Sequence, residues 1–262
     1  MSLRILALLP LLPACIVIQV NEGDGVPASE LRDVAAFDGV SNESQVDVQI
    51  TEGEVPSVTV TCDENLLDEI DVFVDGSVLT IRTTGDWKRG GAFLPRTTCE
   101  VDVVTPALLS LESSGSGDFL VDGDTPNPLA DVLSTGSGDL EIHWPVSADE
   151  LSVQSMGSGE IDLGGVVAQL VELTSSGSGD MSLGAGSTDA LDIVSSGSGD
   201  ILASELVAAS VDATLTGSGD VEVNATEALQ ATLTGSGDLT VWGAPQERDV
   251  VSSGSGDVLL GG

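Results

Sequence analysis

The stretch Gly115-Ser116-Gly117-Asp118 recurs with small changes through the rest of the chain, and nothing else in the sequence limits the fold so strongly. The first glycines of the eight copies are residues 115, 136, 157, 177, 197, 217, 235 and 254, at intervals of 18 to 21 residues. A fixed glycine pattern at a period near twenty marks a repeat architecture, in which neighbouring units share one continuous core. A flexible linker would not keep that period. A phosphate-cradling loop would need a lysine and a helix after its glycines, and neither follows.

With the first glycine of each copy set to zero, offset −4 is Leu111, Val132, Val153, Leu173, Ile193, Ala213, Ala231 and Val250. Offset +4 runs from Phe119 and Leu140 to Val258, and offset +6 from Val121 and Ile142 to Leu260, again apolar in every copy. Period-two patterning on both sides of the glycines is strand, not helix. It predicts an all-β chain folded as a parallel β-solenoid, with two to three short strands per turn. Antiparallel meanders are the runner-up, but identical registry in every copy favours stacking of like on like. Offset −2, mostly serine, shares the inward parity of both glycines. The glycines therefore mark either a pinched strand or a corner with positive φ.

Odd offsets face outward. Offset +1 is always serine, and offset +3 is Asp118, Asp139, Glu160, Asp180, Asp200, Asp220, Asp238 and Asp257. Stacked at about 4.8 Å per rung, these would form hydroxyl and carboxylate ladders roughly 40 Å long. Carboxylates at that spacing repel. Backbone N–H donors at a turn are the favoured compensation, and a ladder of Ca2+ ions is the alternative. The repeats lack the full Gly-Gly-x-Gly-x-Asp calcium pattern.

The chain of 262 residues carries a formal charge of −36, from 43 acidic and 7 basic residues. Such a surface repels nucleic acid and anionic lipid. With aromatics at 3% and no tyrosine, the core must be built in thin layers of Val, Leu, Ile and Ala. Arg4, an apolar run over 5–14 and Cys15 read as a secretory signal over 1–15. Leu12-Pro13-Ala14-Cys15 resembles a lipobox, which makes Cys15 the candidate lipidation site and membrane anchor. Residues 16–30, rich in Gly, Pro and acids from 21 on, read as a tether. An N-terminal β region follows over 31–106, and the repeats over 107–262, continuous with it.

Cys62 and Cys99 share parity with neighbouring valines and point inward if their segments are strands, so they are the disulfide candidates of an exported chain. No cysteine pair has metal-site spacing, and the single His143 cannot supply a zinc site. A helical turn is expected at 63–69 with Asp63 as cap, and a tight turn at Asp75-Gly76. Residues 85–95, with Trp87, Lys88 and Arg89, read as a long exposed loop.

The repeated Ser-Ser-Gly-Ser-Gly-Asp, preceded by Val34-x-x-Phe37-x-Gly39-Val40 and by Cys62-Asp63-Glu64-Asn65-Leu66-Leu67, resembles the auto-transporter adhesin head domain, or GIN domain, over roughly 31–262. The resemblance implies a β-helical domain on exported or surface proteins, often outer-membrane lipoproteins of Gram-negative bacteria. It brings no catalytic residues to transfer. The residues point the same way: cations are nearly absent from the repeats, and His143 has no matched nucleophile. The function expected is a non-enzymatic cell-envelope module presenting a flat acidic Ser/Thr/Asp face to a cell-surface or glycan ligand. Trp87, Trp144 and Trp242 are the available stacking groups. A purely structural spacer is the alternative. An open solenoid end leaves an unpaired edge, through which copies could associate.

Overall fold

The computed structural model describes residues 20–84 and 92–261. The leader with Cys15 and the loop with Trp87, Lys88 and Arg89 lie outside the described residues. The fold is a parallel β-solenoid of about eight turns.

The strand before each motif forms one wall: Ser110–Ser113, Asp131–Ser134 and Val146–Ser155 stack in parallel, with Val153 opposite Val132 below and Leu173 above. The short strand after the motif, such as Leu140–Ile142 or Ile161–Leu163, forms a second wall. A third wall arises where Val146–Ser155, Val166–Ser175 and Gly186–Ser195 begin, at 146–148, 166–168 and 186–188. Like offsets stand above like offsets. In the first seven repeats the side chains at −4, +4 and +6 are therefore all buried, and burying such apolar columns drives the stack.

The motif glycines sit at the corner between the first two walls. Among the described residues only Gly25, Gly76 and Gly243 have positive φ, so the positive-φ expectation does not hold for the motif. Glycine is required by stacking instead. A Cβ on Gly136 would lie 1.9 Å from the carbonyl oxygen of Gly115, and one on Gly138 would lie 2.1 Å from that of Gly117. The clash repeats up the stack to Gly256, whose Cβ would lie 2.0 Å from the Gly237 oxygen.

In the layer beneath the first motif, Gly39–Asn42 and Asp47–Glu52 pair with the strands of that repeat, and Ser44 and Val46 hold the glycine positions. The layer below it is Val78–Thr83 and Glu100–Thr105. At Ser44 and Val46 a Cβ is tolerated. Asn42 closes this corner with its side chain: Nδ2–H donates to the Val46 carbonyl at 2.8 Å, and Oδ1 accepts the Ser44 N–H at 3.0 Å.

The stack is capped by antiparallel strands. Ile70–Asp75 folds back on Val78–Thr83 through Gly76 at φ 65°, while Ser57–Asp63 lies between Glu100–Thr105 and Pro27–Arg32. Strands of the irregular region thus pair directly with those of the first repeat. Cys62 and Cys99 form a disulfide within this cap.

Two expectations are corrected here. The 3₁₀-helix Glu64–Glu69 is present, but Asp63 makes no side-chain cap to it. The buried Asp63 carboxylate accepts the backbone N–H groups of Gly25, Arg96 and Thr97 at 2.7, 2.8 and 3.2 Å. Residues 20–30 are not a tether, because Val20–Glu22 pairs with Ala92–Leu94 and Pro27–Arg32 with Ser57–Asp63. Asp63 ties down the turn between them.

Candidate functional site

Outward offsets of the first wall assemble into a strip. At offset −3, Thr174, Val194, Thr214 and Thr232 stand in register one above another. Offset −1 adds the exposed Ser176, Ser196, Thr216 and Thr234, and offset +1 the exposed Ser178, Ser198, Ser218 and Ser236. Rungs are about 4.8 Å apart, and alternate residues along a strand roughly 7 Å, so hydroxyls and methyls form a regular uncharged lattice. Carboxylates border it on both sides. Glu172, Asp192 and Asp212 stack at offset −5. The predicted offset +3 residues stack on the other margin.

The offset +3 carboxylates are compensated across rungs, not within a local turn. Asp118 Oδ1 accepts the Asp139 N–H at 2.9 Å, Asp139 the Glu160 N–H at 2.8 Å, and Asp180 the Asp200 N–H at 2.8 Å. Asp200, Asp220 and Asp238 continue the pattern to Asp257, and Asp47 begins it under Asp118. Among the described residues one step is missing, between Glu160 and Asp180. One oxygen of Asp118, Asp139, Asp180, Asp200, Asp220 and Asp238 is held by the rung above.

An open acidic groove of about 260 Å3 lies where this column meets the cap, lined by Asp47, Glu100, Asp118, Asp139 and Glu141 around Phe119. Burial pushes the Glu100 carboxyl above the ordinary range, and the charges of Asp102 and Asp47 push it the same way. Sequence reasoning missed this groove, because Glu100 reaches the repeats only through the pairing of Glu100–Thr105 with Asp47–Glu52. It also missed the acidic column at offset −5, which the same register count would have found.

The tryptophans separate. Trp144 is 1% exposed and cannot stack on a ligand, which corrects that expectation. Its ring covers Gly123, where a Cβ would lie 2.5 Å from ring atoms, and its Nε1–H donates to the Thr125 carbonyl. Trp242 is 42% exposed, with Nε1–H donating to Glu222 at 3.2 Å and Gly261 against the ring. It remains accessible. His143 pairs with Asp122 at 3.0 Å on the surface, both half-exposed. Asp63 and the two disulfide sulfurs form the one described cluster of potential metal-ligating atoms. The disulfide and the three N–H donors on Asp63 account for its ligand atoms. No helix among the described residues is long and apolar enough to cross a membrane.

Residues 36–245 match the family model described as "Putative auto-transporter adhesin, head GIN domain". Among solved structures, a "putative lipid binding protein" from Parabacteroides distasonis superposes with a TM-score of 0.80 at 25% identity, covering 92% of this chain and 100% of that one. A "putative adhesin" from Parabacteroides merdae gives 0.80 at 21% identity, covering 93% and 100%. Another from Bacteroides fragilis gives 0.70 at 21%, covering 92% and 99%. These last two speak to the fold alone. No curated protein matches the chain.

Proposed function

The chain belongs to the auto-transporter adhesin head GIN-domain family, and from that premise we propose that it is a non-enzymatic binding module of the cell envelope. The observation that carries this reading is the uncharged Ser/Thr lattice between two carboxylate columns. A periodic array of hydroxyl donors and acceptors suits a neutral polyhydroxylated polymer, such as a glycan or cell-wall strand. The flanking carboxylates turn away anionic polymers, nucleic acid among them. Among the described tryptophans Trp242, at the edge of the second wall, is the one accessible for sugar stacking. Export through the leader and a lipid on Cys15 would hold the module at the outer membrane. Mass spectrometry of the mature N-terminus tests that attachment.

A glycan array with the full chain is the direct test of binding. Thr214→Arg with Thr216→Arg in the middle of the strip is expected to abolish retention of any bound glycan, while Trp242→Ala weakens it. A chain that retains no glycan on the array leaves the second reading, a structural spacer. Favouring that reading is the continuous inter-rung hydrogen bonding that gives a stiff rod. Its final strands, Glu247–Ser252 and Val258–Leu260, expose Val251, Leu259 and Leu260. Association of two copies would be sought there, by sedimentation of Val251→Lys against the parent chain.

A further inference from the structure

After Arg96 the chain holds a single Lys or Arg, Arg248, and the register gives it an unusual place. At offset −6 Leu151, Val171, Leu191, Val211 and Leu229 stand one above another, all buried. Arg248 is the next residue of that column, directly over Leu229. The other inward columns stay aliphatic into the top turn: Val250 stands over Ala231, Val258 over Leu239 and Leu260 over Val241. Only the −6 column closes on a charge.

The strand that carries Arg248, Glu247–Ser252, pairs with Val221–Leu233 beneath it, and no described strand lies above. All six of its residues are exposed. An edge of this kind offers a row of unpaired N–H and C=O groups that another chain can extend. Two tops could meet about a two-fold axis, each supplying the strand that the other lacks. Arg248 opposes that meeting. Its aliphatic stem can cover the column while the charged head stays in water, and Nε–H donates to the Pro245 carbonyl of the same turn at 2.9 Å. Any register that keeps inward faces together sets Arg248 opposite Arg248, Val250 or Ser252 of a second copy, and none of these is an anion. A register that set it opposite Glu247 would turn every inward residue of the strand outward. A strand added above would therefore bury an unpaired charge, which is costly.

We propose that Arg248 is a gatekeeper that closes the top turn to strand addition by a second copy of this chain. An inward-placed charge on an edge strand is one of the ways in which sheets avoid extension, and repeat proteins need polar terminal turns to stay soluble. The role is independent of the Ser/Thr strip, so either can fail without the other. It departs from the spacer reading at one point, since copies are kept apart at this end and not joined through it.

Sedimentation velocity of the full chain tests the role. The parent chain is expected to sediment as a monomer up to about 100 μM. Arg248→Leu, which continues the aliphatic column, is expected to shift it to dimers in a concentration-dependent way. Arg248→Lys should remain monomeric, because a charge still closes the column. Glu247→Leu adds the same side chain to the same strand at an outward offset, and it too should remain monomeric. Arg248→Gln removes the charge without adding apolar surface; it should dimerise more than Arg248→Lys, and it decides if Arg248→Leu fails to fold. Folded Arg248→Leu that stays monomeric overturns the proposal, as does a parent dimer that Val251→Lys separates. Equal association of Glu247→Leu overturns it as well, since any exposed leucine would then be the cause.

Discussion

At Gly159 a methyl group would enter space already held by the Gly138 carbonyl, 2.0 Å from its oxygen. Backbone on both sides leaves no flexible neighbour to yield. Gly159→Ala is therefore expected to cost more than about 2 kcal/mol, seen as a lowered thermal midpoint. Gly76→Ala has no atom within 4 Å of the new Cβ, only a φ of +65°, and should cost about 1 kcal/mol. A second rule operates inside the corner. In five repeats a buried serine at offset −2 accompanies a large residue at −4, as with Ser155 and Val153. In the next two the sizes are exchanged: Leu215 goes with Ala213, and Leu233 with Ala231, all buried. The two positions share one volume. Ser155→Leu alone should overpack, and Val153→Ala alone should leave a cavity, each costing roughly 1–3 kcal/mol. The double change should cost less than either, which a double-mutant cycle on thermal midpoints would show. Equal additivity of the two would refute the exchange.

Among the elements, the repeats were legible in the sequence and the cap was not, for a physical reason. Apolar parity at −4, +4 and +6 is local, so each copy announces its own strands. Asp63 acts on Gly25 and Arg96, far along the chain, and no local pattern carries such a contact. Gly, Pro and acidic residues over 21–30 consequently read as tether, although the carboxylate fixes them in place. Trp144 was missed differently. It stands at the same offset as Gly123 below, whose missing side chain leaves space for its ring. Two cap carboxylates make opposite statements about pH. Asp63 is pushed up by burial, yet its backbone N–H donors outweigh this and hold it below the ordinary value. Its contribution is present above the ordinary carboxylate range and is lost as pH falls through the lowered value. Glu100 is raised, chiefly by burial. Its contribution is complete below the ordinary value and is lost as pH rises through the raised one. Glu100→Gln should accordingly raise the thermal midpoint at neutral pH, by no more than ~2 °C for a group only partly buried. The gain should disappear near about pH 4, where the native side chain is protonated too. A gain that persists in acid would mean that packing, not charge, is responsible.

Over the whole molecule, a charge of −36 spread along a rod must be compensated or tolerated. The offset +3 column shows how part of it is handled: Asp139, Asp200, Asp220 and Asp238 each accept an N–H from the rung above, at 2.7–2.8 Å. Compensation by backbone dipoles needs no ion. The opposite column, with Glu172, Asp192 and Asp212 in register, is left to solvent and counterions. Repulsion across about 4.8 Å between like charges is then the main penalty, and since this is shorter than the Debye length of about 8–10 Å in ordinary salt, it takes higher salt to screen it. Raising sodium chloride from low concentration to about 0.5 M should therefore raise the thermal midpoint steadily. Millimolar calcium at matched ionic strength should add nothing, and chelator and calcium curves should coincide. A calcium-specific rise that Asp200→Asn and Asp220→Asn together remove would instead assign ions to the column. The same rise surviving those changes would point to the acidic groove around Glu100, where five carboxylates meet without N–H donors for all of them.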